Sequence, residues 1–354
     1  MAGTCAGVVR RRPRRMAEHL GRLLEARPEV REPFELGFAA MNACSWDQAI
    51  GYFETAVTAT NGPGLVALHN LIGVCHYTQG RPGEALVAFQ ESARLAEQYG
   101  DQQGKSRALG NLGLIFHHNG QLDRALSFLD QALAIANEVN DVWASAIQLG
   151  YAGNVYHDKG DRDRALQHYE AALAISRDIG DQWGVATHLS NIGSIYHDKG
   201  ELDRALQHHQ EALAIARETG DRWSAASNLG SIASVYRDEG NLEEALAYES
   251  EALAIAREIG NQLGVATELG NIGLILTDRS EHEQAVPKLA EALTILLAVG
   301  VADGPRQTLT GLAGCDDKLG RKRLTELLKE AGRAEEIIKD LFDRIDQMRM
   351  RRPD

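Results

Sequence analysis

The chain has 354 residues, a formal net charge of −13 at neutral pH and an apolar fraction of 44%. An acidic surface of this kind disfavours nucleic acid and anionic lipid as partners. No apolar run approaches the roughly 18 residues of a membrane-spanning helix, so no membrane contact is expected. The four cysteines include no CxxC pair, which predicts reduced thiols and a cytoplasmic location.

The N-terminal segment, residues 1–16, differs in charge from the rest of the chain. Its first 15 residues contain five arginines and no acidic residue. No apolar stretch follows them, so the segment is a poor secretory signal. We predict a disordered basic tail here, and a nucleic-acid or membrane contact of these arginines is the alternative.

Residues 64–303 repeat a pattern of small residues every 40 positions. The stretches YAGNVYHDKGDRDRAL (151–166) and NIGSIYHDKGELDRAL (191–206) are nearly identical. Glycine recurs on one register at Gly73, Gly113, Gly153, Gly193 and Gly273, with Ala233 filling the gap. A fixed period of this length predicts a solenoid built from one supersecondary unit.

A single unit, residues 104–143, contains two helical faces separated by Gly120. Leu109 and Leu112 belong to the first face, which recurs at three- and four-residue steps. A glycine inside a helix costs about 1 kcal/mol relative to alanine. The recurrence of glycine at the register of Gly113 therefore predicts that the two helices of a unit cross closely at this position.

The stretch NLGLIFHHNGQLDRALSFLDQAL (111–133) resembles a tetratricopeptide repeat, or TPR. The 40-residue version of the unit is similar to those of the LGN/Pins adaptors and the kinesin light chains. The resemblance covers about residues 30–320. It implies an all-α fold, a right-handed superhelical solenoid of antiparallel helix pairs. It also implies a concave groove, lined by the first helix of each pair, that holds an extended peptide.

The repeat pattern weakens towards both ends. We expect irregular N-terminal helices and a degenerate first repeat in residues 17–63, six 40-residue TPR units in residues 64–303, and a degenerate last repeat in residues 304–332. Residues 333–351 are expected to form a capping helix with Ile337, Leu341, Ile345 and Met348 on one apolar face. Such a helix would cover the exposed end of the array, as terminal repeats must.

The function predicted from these patterns is protein interaction without catalysis. The sequence contains no HExxH, GxSxG or strand-borne GxGxxG motif, so neither an enzyme nor a cofactor or metal is expected. The first hypothesis is a scaffold or adaptor that binds an extended peptide segment of a partner protein. The alternative is a peptide-responsive regulatory or sensor module that acts through a separate effector protein. Self-association through the array ends is left open.

The TPR resemblance also implies which side chains face a bound peptide. Amides and hydroxyls on the first helices can donate and accept together, so they can hold a peptide backbone. These residues are Asn111, Asn154, Asn191, Ser194, Ser231, Ser234 and Asn271. The alternative role for them is to bridge neighbouring helices.

A second row of polar residues lies at the ends of the same helices. It consists of His157, His197, Asp158, Asp198, Asp238 and Asp278. A groove lined by aspartates predicts a preference for a basic peptide segment. The alternative is an acidic face that is merely solvated.

Three tryptophans, Trp143, Trp183 and Trp223, share one register just before the predicted first helices. They either plug the junctions between units or serve as exposed anchors for a partner.

Overall fold

A computed structural model of the chain describes residues 28–300 and 305–350. This part of the chain contains 17 α-helices and no β-strand, which confirms the all-α prediction. The predicted basic tail and residues 17–27 lie outside the described residues.

The helices fall into two compact units that divide at Ile195. The first unit contains α1 (Pro28–Asn42), α2 (Trp46–Ala59), α3 (Gly64–Thr78), α4 (Pro82–Tyr99), α5 (Gln102–His118), α6 (Leu122–Glu138), α7 (Val142–Asp158), α8 (Arg162–Asp178) and most of α9 (Gln182–Asp198). The second contains the end of α9, then α10 (Leu202–Glu218), α11 (Arg222–Asp238), α12 (Leu242–Glu258), α13 (Gln262–Asp278), α14 (His282–Val299), α15 (Pro305–Leu319), α16 (Arg321–Glu330) and α17 (Glu335–Met350). Within each unit, a helix packs mainly on the helices that precede and follow it, as in a stack of helix pairs.

The helix ends are set by local backbone chemistry. The Asp101 carboxylate accepts a hydrogen bond from the Gly104 backbone N–H, 2.9 Å away, at the start of α5. Such a cap satisfies one of the free donors in the first turn. After α5 the chain turns at Gly120, whose φ of 71° is left-handed and favours glycine. The two helices of a pair are therefore joined by a tight, sequence-encoded turn.

The helix pairs cross where the sequence predicts. A Cβ at Gly113 would lie 2.8 Å from Leu129 Cγ and 3.2 Å from the Ala125 carbonyl oxygen. A Cβ at Gly153 would lie 2.5 Å from the Tyr169 ring. Both distances are too short for an added methyl group, so the prediction of a close crossing at the glycine register is confirmed.

The second helix of each pair contributes a different residue at this crossing. We call its position the crossing register. In steps of 40 it is occupied by Phe89, Leu129, Tyr169, His209, Glu249 and Leu289. The repeated backbone therefore carries apolar, aromatic and acidic side chains at one equivalent position.

The C-terminal helix α17 packs on α15 and α16 and buries Ile338, Leu341 and Ile345. The prediction that Ile337 lies on this face is wrong, because its side chain is 48% exposed. Ile337 is one four-residue step from Leu341 and Ile338 is one three-residue step from it. Since both steps suit a helix, the sequence pattern alone could not separate them.

An ion-pair cluster ties α17 to the preceding helices. The buried Asp316 carboxylate on α15 accepts from Arg321, 2.7 Å away, and from Arg349 of α17, 3.0 Å away. Arg321 also contacts Asp346 of α17 at 2.9 Å. These contacts support the proposal that α17 caps the second unit.

Candidate functional site

The predicted peptide-contacting side chains lie on the partly exposed side of the first helices. We call this side the first-helix face, and it is defined within each compact unit by the residues named below. Ser234 is exposed there, and the other predicted amides and hydroxyls are half-buried. The described structure therefore leaves all seven side chains at or near the surface.

In the first unit, the amides of this face bridge neighbouring helices. Asn111 Nδ2 donates to Asn70 Oδ1 at 2.8 Å, and Asn191 Nδ2 donates to Asn154 Oδ1 at 3.4 Å. The Tyr169 hydroxyl also donates to Asn154 Oδ1, at 2.7 Å. Because an amide carries both a donor and an acceptor, a side chain held through one atom presents the other in a fixed direction. Bridging and peptide contact are thus compatible roles.

The hydroxyls bind their own helices. Ser194 donates to the Ser190 carbonyl oxygen and Ser231 to the Ser227 carbonyl oxygen, each at 3.1 Å. In the second unit, Asn271 Nδ2 donates to Glu249 Oε1 at 3.0 Å. Asn271 is therefore anchored to a buried carboxyl group rather than to another amide.

The aspartates at the helix ends pair with a cation or imidazole of the preceding first helix. His117 Nε2 lies 2.7 Å from Asp158 Oδ2 in the first unit. In the second unit, His197 lies 2.8 Å from Asp238 and Arg237 lies 2.6 Å from Asp278.

Sequence reasoning treated this row as a set of independent side chains and missed the pairing. The available signal was a separation of 41 residues between the two partners of each pair. His157 and Asp198 occupy the same two registers in their own helices. Asp158 and Asp238 are each 59% exposed, so a ligand can still reach them.

A small cavity opens on the first-helix face of the first unit. It has a volume of about 60 Å³, and Asn154, Asn191, Trp143 and Trp183 contribute to its lining. Both tryptophans are half-buried and lie inside the first turns of α7 and α9 rather than before them. Trp223 takes the equivalent position in α11 and is also half-buried. Trp143 and Trp183 therefore stand beside the predicted amides.

A row of buried polar residues on the first helices was missed by sequence reasoning. In steps of 40 it comprises Gln148, His188, Asn228, Glu268 and Thr308, all of them buried. The sequence did indicate that these residues are buried. Leu68 and Ala108 occupy the same register in the earlier first helices, and each polar residue has apolar neighbours on its helix. The sequence prediction assigns only surface roles to the polar residues of the first helices.

Burial changes the protonation of two histidines. Desolvation lowers the pKa of His188 to about 4, and the same effect lowers the pKa of His209 to about 4. His188 lies over Gly150, where a Cβ would be 2.8 Å from its Cε1. His209 Nδ1 lies 3.2 Å from Asn228 Oδ1. Both imidazoles are consequently neutral at physiological pH.

Two carboxyl groups are buried together in the second unit. The side chains of Glu249 and Glu268 are 2% and 7% exposed and hydrogen-bond each other. Burial, followed by this contact with Glu268, raises the pKa of Glu249 far above its usual range. Burial also raises the pKa of Glu268. Arg237, whose charge acts in the opposite direction on Glu249, does not offset burial. The pair therefore holds a proton at neutral pH.

Within residues 28–300 and 305–350, no group of three or more His, Cys, Asp or Glu residues could hold a metal ion. Cys44, Cys75 and Cys315 are free thiols, and burial raises the pKa of Cys75 to about 12. None of the helices in this part of the chain is both long enough and apolar enough to cross a membrane.

Two family models match the sequence. The model of the MalT-like TPR region matches residues 100–294, and a tetratricopeptide-repeat model matches residues 34–100. None of the curated proteins matches the sequence significantly. The matched ranges contain every predicted peptide-contacting residue.

Solved TPR structures have the same fold. The apo form of the quorum sensor NprR from B. thuringiensis is similar with a TM-score of 0.63 and 18% identity, over 93% of this chain and 92% of that one. A STAND protein with a tetratricopeptide repeat sensor from Pyrococcus horikoshii gives 0.62 and 18%, over 94% of this chain and 54% of that one. A Rap protein complexed with competence and sporulation factor gives 0.56 and 14%, over 83% and 87%. The predicted TPR solenoid is thereby confirmed.

Proposed function

Because the chain belongs to the family of MalT-like TPR regions, we propose that its first-helix face binds an extended segment of a partner protein. TPR-type helical repeats are typical of protein-interaction and peptide-sensing modules. The protein acts without catalysis, as a scaffold or adaptor. The observation that carries the proposal is the series of amides and hydroxyls on the first helices of each unit, which are partly exposed and in several cases held by internal hydrogen bonds.

An extended peptide matches this chemistry. Each peptide residue other than proline offers one N–H donor and one C=O acceptor that are unpaired when the chain is extended. Asn154 and Asn191 stand beside the small cavity in the first unit, so they can hold the backbone while an apolar side chain enters the cavity. Trp143 and Trp183 in its lining supply the large contact surface typical of residues that dominate binding energy.

The aspartates at the helix ends favour a basic segment. Asp158, Asp238 and Asp278 are each at least 41% exposed beside their internal partners. An exposed ion pair contributes only about 0.2–1 kcal/mol. The aspartates therefore select sequence and speed association, and the amide contacts supply most of the affinity.

A second role for the same face is peptide sensing. It is favoured by the similarity to NprR, a quorum sensor, to a Rap protein complexed with a factor, and to a STAND protein with a TPR sensor. In this role the bound peptide is a signal, and the output passes through a separate effector protein. A ligand-dependent change in partner binding would distinguish the sensor from the scaffold.

The test begins by selecting peptides that bind the whole protein from a random extended-peptide library. Asn191→Ala should lower the affinity for the selected peptides by about tenfold, which corresponds to the loss of one to two hydrogen bonds. Asn154 keeps its bond from the Tyr169 hydroxyl in this variant, so the fold is preserved. The matched control is Gln131→Ala, which removes an exposed amide from the second helix α6.

The proposal is wrong if the library yields no binder, or if Asn191→Ala and Gln131→Ala have the same affinity for the selected peptides. A preference for acidic peptides would refute the role of the aspartates alone.

A further inference from the structure

The buried carboxyl pair lies beneath the first-helix face of the second unit. If Gly230 had a Cβ, that atom would lie 3.5 Å from Glu268 Oε2 and 3.8 Å from Glu268 Oε1. Gly230 belongs to the outer stripe of α11, between exposed Ser227 and exposed Ser234. The missing side chain therefore leaves a gap in the face directly beside the carboxyl group.

The two acids lack enough donors of their own. Asn271 donates to Glu249 Oε1 at 3.0 Å, but Oε2 of Glu249 and Oε2 of Glu268 are buried with no donor from another described residue. The charge that acts on Glu249 from outside the pair is that of Arg237. A buried carboxylate without a cation or donor is strongly disfavoured. The pair must therefore hold either a proton or a cation.

The equivalent space is occupied in the first unit and left open at Gly270 in the second. In the first unit, a Cβ at Gly110 would collide with Gln148 and one at Gly150 with His188. In the second unit, Gly270 faces the hydroxyl of Thr308 at 3.5 Å. Among these glycines, Gly230 combines a half-exposed backbone with an acidic group behind it.

We propose that Glu249 and Glu268 form a site for a primary ammonium group of the bound peptide, a lysine side chain or a free N-terminus, which enters over Gly230 as a proton leaves. The inference rests on the proposed peptide-binding function and specifies its ligand. An ammonium group is a compact point charge with three donors, whereas a guanidinium is a wide planar fork. The gap left by the missing side chain of Gly230 is small, so it suits an ammonium group better than a guanidinium.

The exchange is balanced in charge. The carboxylic O–H bond breaks, its proton passes to solvent, and the carboxylate left behind pairs with the incoming R–NH₃⁺. One positive charge enters and one leaves, so the buried site never carries an isolated charge. Because binding releases a proton, affinity must rise with pH, by up to tenfold per pH unit while the pair retains its proton.

The test uses N-acetyl-lysine amide as the probe and N-acetyl-norleucine amide as its uncharged counterpart. Each is added at millimolar concentration to the full chain, and the backbone amide resonances of Gly230 and Asn271 are followed by NMR. The lysine probe should shift both resonances and the norleucine probe should not. Its dissociation constant should fall at least tenfold between pH 6 and pH 8. Alanine amide, which presents an α-ammonium, separates an N-terminus from a lysine side chain.

The chain supplies a matched pair of blocking variants. Gly230→Ala places a methyl group at an ordinary contact distance from Glu268, so it fills the gap without strain. Gly270→Ala makes the same helix substitution 40 residues later, beside Thr308. Gly230→Ala and the double variant Glu249→Gln, Glu268→Gln should abolish the lysine-specific shift, and Gly270→Ala should retain it.

The inference is overturned if the lysine and norleucine probes give equal shifts, if the double Gln variant binds lysine normally, or if affinity does not change with pH. Library-selected peptides that still bind in an Asn191-dependent manner would then leave the proposed function intact. Conversely, a lysine-specific shift with no library binder would refute the extended-peptide function alone.

Discussion

The crossing of α7 and α8 in the first unit and the equivalent place in α12 of the second unit have opposite chemistry. Tyr169 packs against Gly153, and its hydroxyl donates to Asn154 at 2.7 Å. In the second unit Glu249 occupies the crossing register, shares a hydrogen bond with Glu268 and accepts from Asn271. Since both places are built on the same repeat, the repeat backbone does not require an apolar residue there.

The two arrangements differ in what they contribute to stability. A buried aromatic ring removes a large apolar surface from water, and its one polar atom is hydrogen-bonded. A buried acid pair loses hydration and remains short of donors. The crossing of the first unit thus stabilises its fold, whereas the acid pair weakens the second unit and keeps a reactive proton there. Four measurements test this difference between the units.

Removal of the aromatic ring at the crossing should destabilise the fold the most. Tyr169→Ala should lower the free energy of unfolding by about 3–5 kcal/mol, because the ring is 1% exposed and would leave a cavity. Urea denaturation followed by circular dichroism measures it. Tyr151→Ala, on the half-buried first-helix face, is the control and should lose much less. Equal losses for the two variants would remove the stabilising role of the crossing.

The second effect is a loss of stability in acid that both units share. The pKa values of His188 and His209 are lowered to about 4 in the folded state, against about 6.5 in an unfolded chain. Between these pH values the unfolded state binds more protons than the folded state. The contribution of each neutral histidine to the free energy of unfolding is therefore complete above pH 6.5 and is lost as the pH falls through 4. Each histidine accounts for about 3 kcal/mol.

His188→Gln and His209→Gln should each reduce the difference in unfolding free energy between pH 7 and pH 4.5. If only one of them does so, the two units differ in their histidines as well as in their crossings.

The third effect distinguishes the units at higher pH. The folded-state pKa values of Glu249 and Glu268 are raised. The contribution of the protonated pair to the free energy of unfolding is therefore complete below the ordinary pKa range of glutamate, and it is lost as the pH rises through the raised pKa. The double variant Glu249→Leu, Glu268→Gln reproduces the Leu129 and Gln148 combination found at the same registers of the first unit. It should gain about 2 kcal/mol at pH 8 and lose the alkaline decline. A double variant less stable than the parent at both pH 6 and pH 9 would contradict the account.

The smallest effect concerns the small residue of the first helix. Ala233 replaces glycine on the glycine register of α11 and is fully buried. Ala233→Gly should lower stability by about 1 kcal/mol through helix propensity alone, measured as a shift in thermal midpoint. A gain in stability would mean that α11 crosses its neighbour as closely as α7 crosses α8.

The helix starts were predictable because their cause is local, as at Asp101, which caps α5 within three residues. The crossings were predictable because a small residue recurs at the Gly113 register in successive units. The buried pair of Glu249 and Glu268 was not predictable in this way. The two residues are 19 positions apart and meet only because of how their two helices are rotated about their own axes. The same rotation determines whether Ile337 or Ile338 is the buried residue of α17.

The candidate site shows the same limit. The register placed Asn111, Asn154 and Asn191 correctly on a half-exposed face, and their contact with a peptide stays a prediction. The register did not reveal that Asp158 and Asp238 each have a partner 41 residues earlier, because a side chain's partner across helices depends on tilt as well as on sequence spacing.

The left-handed turns described above have a consequence for how such a chain changes over generations. A residue with positive φ ends a helix at every twentieth position from Gly80 to Gly320, with Asn140 and Ser280 standing in for glycine. Loss or duplication of 40 residues therefore joins a turn to an identical turn and preserves the order of first and second helices. Array length can then drift independently of the side chains at the crossings. The number of helices that contribute to the first-helix face can thus change while the side chains of each unit stay the same.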